Sequence, residues 1–290
     1  MSVRITNFGL DAVVQVSSPS DWSRYTAIGT GTTPPDQTDT ALANEIARTD
    51  SDGGFGRTEQ SVRDSTNNKL RTVITEYRVF NFTSSYNLTE FGHFTQSTGA
   101  NCVFRDLFRQ DPNDPNSPPV VISVQSGDQL QIIKTVVIEV PWLETTYSIT
   151  ITGMAGKDGN GTHDVVGTAF ATGDGFVRGV IDLLWPGGST VYLHPITSRQ
   201  STARDTSISV PGGYAMAADA YTNGSYTRTR RRKLTTAQGN GTIYGFAVYA
   251  IPTSANAQNG YKMFFQNPSS ITKESTHTLE MVFQMTWGRG

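Results

Sequence analysis

Cysteine is nearly absent: Cys102 stands alone in 290 residues, so no disulfide can form within the chain. It sits in an apolar stretch, Cys102–Phe104, which favours a buried free thiol over a nucleophile. A reactive thiolate needs a nearby base, and His93 is a candidate by sequence alone. A surplus of one charge is also missing: 23 Lys and Arg against 25 Asp and Glu leave a formal net charge of −2. No global basic field draws the protein to nucleic acid or to an anionic membrane. No apolar run approaches the ~20 residues of a membrane span. The first ten residues, MSVRITNFGL, hold neither an apolar signal core nor a small-residue cleavage site. The expectation is a protein made in a cytoplasm that stays there, or leaves it by lysis or assembly.

Catalytic signatures are missing too. The four histidines, His93, His163, His194 and His277, share no ligand spacing, which argues against a zinc site. There is no Gly-x-Ser-x-Gly elbow. GTGTT at Gly29–Thr33 resembles a phosphate cradle but lacks the lysine that would meet the phosphates. No catalytic, cofactor-binding or metal-binding residues are therefore assigned, and no cofactor is expected. Glu76 and Glu90 remain as candidates for a glycosidase carboxylate pair on strand position alone.

What the chain does have is strand-forming composition. It is rich in Thr, Val, Tyr and Phe, with 28 Gly and 13 Pro supplying turns, and reads as all-β. Strand candidates include Leu70–Phe82, Thr89–Phe94, Cys102–Phe108, Ile132–Val140, Tyr147–Met154, Val165–Phe170, Val177–Leu184, Thr190–Leu193, Ser225–Leu234 and Ile243–Ile251. Val3–Val16 reads as one or two strands about a turn at Asn7–Gly9. One short helix is expected at Thr40–Arg48. Thr38 or Asp39 would cap it, and Leu42 and Ile46 would share a face.

The strands also come in two similar series. TEFGHF (Thr89–Phe94), CVFRDLF (Cys102–Phe108) and a closing strand ending at Trp142 are echoed by IYGFAVY (Ile243–Tyr249), YKMFF (Tyr261–Phe265) and a closing strand ending at Trp287. The two Trp lie 145 residues apart. The expected architecture is two tandem, duplicated β-sandwich or jelly-roll-like units. Residues 1–143 would carry the GTGTT loop and the helix, and residues 144–290 would form the second unit.

Two polar segments invite functional readings. Asp158, Asn160, Thr162 and Asp164 alternate as Ca²⁺ ligands can, but His163 replaces the required glycine and no glutamate closes the loop. A plain surface loop is the better reading. In RTRRRK, Arg228, Arg230, Arg231, Arg232 and Lys233 form the densest charge run and a candidate protein-docking strip. The same run fits a solvated edge strand protected from aggregation, and nucleic acid is the weakest of its readings.

The order of Tyr25–Arg48 (YTAIGTGTTPPDQTDTALANEIAR) and Asn87–Phe94 (NLTEFGHF) resembles a segment of tail-fibre, tail-collar and baseplate-periphery proteins of tailed bacteriophages. In that family, Gly29–Thr33 would correspond to an irregular turn, Thr40–Glu45 to a short helix and Thr89–Gly92 to a second motif. The resemblance covers roughly the first half of the chain; the second half lacks the GTGTT segment. It implies a non-enzymatic structural part of a phage particle, assembled in the host cytoplasm and located in the virion. Its partners would be copies of itself and other virion proteins of tail, neck or capsid, as symmetric assemblies require. A head decoration or head-fibre protein fits the same features. So does a module binding host-surface glycan, and a glycan-cleaving enzyme is a further class.

Overall fold

The computed structural model describes residues 5–16, 19–112, 114, 116–141, 145–152, 161–170, 183, 190–198, 213–251, 259–265 and 270–289. The fold is all-β, with two short helices among these residues, α1 (Asn7–Ala12) and α2 (Pro19–Trp22).

A first series of nine strands follows the helices: β1 (Tyr25–Gly29), β2 (Glu45–Thr49), β3 (Arg57–Asp64), β4 (Lys69–Asn81), β5 (Tyr86–Leu88), β6 (Glu90–Phe94), β7 (Cys102–Leu107), β8 (Ile122–Val124) and β9 (Gln129–Pro141). They form antiparallel sheets in the orders β2-β1-β6-β7, β3-β4-β9 and β5-β8. Along β4 the even-numbered residues from Leu70 to Arg78 point inward and are buried, the period-2 pattern of a strand with one face on a core. Ile28 of β1, Phe80 of β4, Leu88 of β5, Val124 of β8 and Ile132 of β9 share one apolar cluster that joins the three sheets.

A hairpin of β10 (Thr145–Thr152) and β11 (Gly161–Phe170) precedes a second series of nine: β12 (Thr190–Ile196), β13 (Tyr214–Ala215), β14 (Ala217–Ala218), β15 (Thr227–Leu234), β16 (Gly241–Ile243), β17 (Gly245–Ile251), β18 (Asn259–Phe265), β19 (Ile271–Lys273) and β20 (Leu279–Thr286). Every pairing of the first series recurs here. β12 pairs with β13 and β17, as β1 does with β2 and β6. β17 pairs with β18 as β6 does with β7. β15 lies between β14 and β20 as β4 lies between β3 and β9, and β16–β19 matches β5–β8.

The match extends to single bonds. Thr89 N–H donates to Gly29 O and Thr89 O accepts Phe108 N–H, both at 2.9 Å. In the second series Tyr244 N–H donates to Ile196 O (2.8 Å) and Tyr244 O accepts Phe265 N–H (3.0 Å). The difference lies in the inserted hairpin: β10 pairs with β20 and β11 with β18, which joins seven strands of the second series and the hairpin into one nine-stranded sheet and leaves β16–β19 as a separate pair. No sheet among the described residues mixes strands from the two sides of residues 142–144.

Two local expectations fail. The helix at Thr40–Arg48 is absent: the chain bends through residues 41–44 and enters β2. Ala43 and Asn44 donate their N–H groups to the Glu90 carboxylate, and residues 45–49 pair with β1, so tertiary partners take the donors a helix would have used. The strands expected within Val3–Val16 are replaced by α1. Thr6 caps it, its hydroxyl accepting Gly9 N–H at 2.9 Å and donating to Cys102 O at 2.5 Å. The α1 segment also meets the end of the chain. Trp287 Nε1 donates to Leu10 O (2.9 Å), and Arg289 donates to Ile5 O and to Asn7 Oδ1 (both 2.8 Å). Asp11 Oδ1 accepts from Tyr221 OH (2.5 Å) and Gly224 N–H (2.7 Å).

Candidate functional site

The three segments that carry the phage resemblance converge on one carboxylate. Glu90 opens β6 and is fully buried. Its Oε1 accepts N–H from Gly31 (2.9 Å) and Asn44 (2.8 Å), and its Oε2 accepts from Ala43 N–H (3.1 Å). Arg105 of β7 completes the shell, with Nε 2.9 Å and Nη2 2.8 Å from Oε2. The same guanidinium reaches Asp39 Oδ2 (2.7 Å) and Thr33 O (2.9 Å). One ion pair therefore fastens the GTGTT loop, the residues before β2 and the TEFGHF strand. Gly29 and Gly31 are small for a reason: a Cβ on Gly29 would stand 2.7 Å from Glu90 Oε1, and one on Gly31 would collide with the same carboxylate. Likewise a Cβ on Gly92 would meet Leu42 Cδ2 at 3.0 Å, so Leu42 of the middle segment seats directly on the TEFGHF strand.

A second buried polar cluster lies between β4 and β9. Glu76 faces Lys134 across the ladder, with Nζ and Oε2 2.5 Å apart, and Arg78 Nη2 lies 3.2 Å from the same oxygen. Lys134 also donates to Ser23 O and Ser23 Oγ, and Arg78 to Arg24 O. These bonds fix the chain entering β1. Burial pushes the Lys134 ammonium down to about 8, against the pull of Glu76. Glu76 and Glu90, the carboxylates singled out for glycan chemistry, are thus both buried and ion-paired in separate clusters. Neither is presented to a substrate.

His93 is buried and hydrogen-bonded through Nδ1 to Thr26 Oγ1 at 3.0 Å. Burial first, then the charges of Lys134 and Arg78, hold its imidazole well below the usual histidine range. Cys102 donates to Phe104 O, and burial pushes its thiol up to about 12, the reverse of an activated nucleophile.

The basic run Arg228–Lys233 lies in β15, one strand in from the sheet edge, because Ala217–Ala218 of β14 pair with Arg231 and Arg230. Alternation splits it. Arg230 turns inward, is buried and donates to Leu183 O (3.3 Å); desolvation, then the charge of Arg228, pushes it down to about 10. Arg232 reaches Ala215 O and Gln238 Oε1, with its guanidinium 5.6 Å from the Tyr214 ring centre. Arg228 is half-buried, and desolvation lowers it. Arg231 and Lys233 lie on the open face, where Arg231 pairs with Asp219 at 2.7 Å and Lys233 faces Glu280. Sequence reasoning grouped five cations. The strand period leaves two of them on the surface.

Asp158 and Asn160 lie outside the described residues, as do most of Val177–Leu184 and Trp142. Thr162 and Asp164 belong to β11 and pair with β10, not to a loop. No group of three or more His, Cys, Asp or Glu among the described residues could hold a metal ion. No helix among them is long and apolar enough to cross a membrane. Sequence reasoning missed the role of Arg105 and Lys134, whose only signal was a charge at an inward position of an apolar strand. No protein-family model, curated protein or solved structure matches this chain.

Two outcomes follow from these clusters. The 145-residue step that relates Trp142 to Trp287 also takes Lys134 to Leu279, whose partner across the ladder is Leu234, just as Lys134 faces Glu76. Lys134→Leu alone, by leaving the buried Glu76 to Arg78 and Arg57, should destabilise by up to about 3–5 kcal/mol in urea unfolding, whereas Glu76→Leu with Lys134→Leu should recover part of that loss. A double variant as unstable as the single one contradicts this reading. The depressed His93 contributes stability that is complete above its unfolded value of 6.5 and is lost as pH falls. As pH falls below 6.5 unfolding free energy should drop, with a slope that steepens toward about 1.4 kcal/mol per pH unit, and His93→Gln should flatten that slope. An unchanged slope would remove His93 from the acid limb.

Proposed function

We propose that this chain is a non-enzymatic structural component of a tailed-bacteriophage particle, of the tail, collar or fibre-attachment kind. It would assemble in the host cytoplasm and reside in the virion. The observation that carries the reading is the convergence on Glu90. The segments that resemble phage proteins are distant in sequence and meet in one saturated ion-pair network, so what they share with that family is a piece of scaffold. A scaffold motif is consistent with assembly, not turnover.

The remaining chemistry supports the same reading. The buried thiol, the depressed imidazole and both candidate carboxylates are held by neighbours and act on the fold. Assembly contacts would then come from strand faces and edges, with Arg231 and Lys233 as the accessible part of the basic strip. Copies of the chain and other virion proteins are the partners proposed.

Immunogold labelling of intact particles with antibody to this chain tests the proposal. Label at the tail or neck is expected. Label spread over the head would replace the tail assignment with head decoration, and particles free of label would overturn the virion reading.

A further inference from the structure

The two strand series differ at the outer edges of β9 and β20. In the second series, β20 has β15 on one side and receives β10 on the other, at Met281 and Glu280. Its counterpart β9 has β4 on one side and, among the described residues, no strand on the other. β9 is 13 residues long and unbroken in register from Gln129 to Pro141. An edge of that length whose backbone meets no strand among the described residues is a template for another strand. Its outer face sets two large apolar side chains in solvent between Gln131, Thr135 and Glu139: Ile133 is 59% and Val137 39% exposed. The apolar surface continues across β4, where Tyr77 faces Ile133, and onto Phe55, whose ring centre lies 5.5 Å from that of Tyr77 in a tilted pair.

We propose that the free edge of β9 pairs antiparallel with β9 of a second copy of this chain, about a two-fold axis through Thr135. The sequence of the strand selects this occupant. A two-fold axis must pass through a residue for each side chain to keep its face, because a shift by one residue would turn the exposed set inward. With the axis at Thr135, Ile133 meets the second copy's Val137, so each exposed apolar side chain faces another. Glu139 meets Gln131, so no like charges oppose. With the axis at Ile133 or at Val137 instead, these two residues no longer face each other. The result joins β3-β4-β9 of two copies into one six-stranded sheet, an isologous contact in which the same patch serves both partners. The second series shows within the same molecule that an antiparallel strand fits at this position of the plan. The inference deepens the self-association that the proposed function includes, and its test reads the strand pairing and not the particle, so the two can fail separately.

Sedimentation equilibrium of the full chain tests it, with far-UV circular dichroism as a check on folding. A dimer is expected. Ile133→Lys combined with Val137→Lys, both on the solvent face, should leave the spectrum unchanged and shift the protein to monomer. Thr135→Cys should give a disulfide-linked dimer under mild oxidation, because directly opposed residues have Cα atoms about 4.5–5.5 Å apart. Gln131→Cys alone should not, because it faces Glu139. A monomer at every concentration overturns the proposal. So does a dimer that survives the double lysine change, or crosslinking of Gln131→Cys as efficient as that of Thr135→Cys. Should a monomer instead take up another protein's strand at β9, the edge would be an acceptor but the second copy would be excluded.

Discussion

The Glu90 carboxylate is the charge around which the first strand series is arranged. Buried without partners, it would cost several kcal/mol. The chain compensates with two bonds from Arg105 and three backbone N–H groups, and those donors dictate the path of everything nearby. Gly29 and Gly31 bring the backbone within reach, residues 41–44 bend to present two amides, and β2 starts where the bend ends. An uncompensated charge would be intolerable, so the loop has little freedom. This is why a segment with a helix-like pattern of Leu42 and Ile46 is not helical.

The second series shows what the plan looks like without that charge. The ladder and the Thr89 and Tyr244 bonds put Gly245 where Glu90 stands, and nothing resembling GTGTT precedes it. The strand order survives unchanged. Antiparallel pairing and the alternation of apolar residues therefore suffice for the nine-strand plan, and the ion pairs of the first series act on its loops. The edges are closed differently too. Thr6 bonds the β7 backbone and α1 packs beside it, whereas β11 takes the matching edge of β18. Trp287 and Arg289, which follow β20, return to the α1 segment, so the helix at the β7 edge of one series is held by residues that follow the other.

Much of this was legible in the sequence. β4, β6, β7 and β9 were read within a few residues because period-2 alternation is imposed by burial on one face, as in Leu70, Thr72, Ile74 and Glu76. The echo between TEFGHF and IYGFAVY was visible because Phe91 and Phe246 hold matching positions in matching strands. The Glu90 site was half legible. Its segments could be named, but their meeting point depended on a long-range ion pair with Arg105, which leaves no local trace. α1 was missed because six residues with Phe, Leu and Ala carry a weak period, and Thr6 as a cap is informative only once its partners are known. The basic run misled in the opposite way: contiguous charges look like one surface, and a strand divides them between two.

The most direct test of the account is amide hydrogen exchange, residue by residue, on Glu90→Ala against the unaltered chain. If the carboxylate organises the first series, the amides of Gly31, Ala43 and Asn44 exchange much faster in the variant. Those of Tyr244 and Phe265 in the second series, the counterparts of Thr89 and Phe108, stay protected. Unchanged protection at Gly31, Ala43 and Asn44 would contradict the account, because those three amides would then owe their order to something other than Glu90.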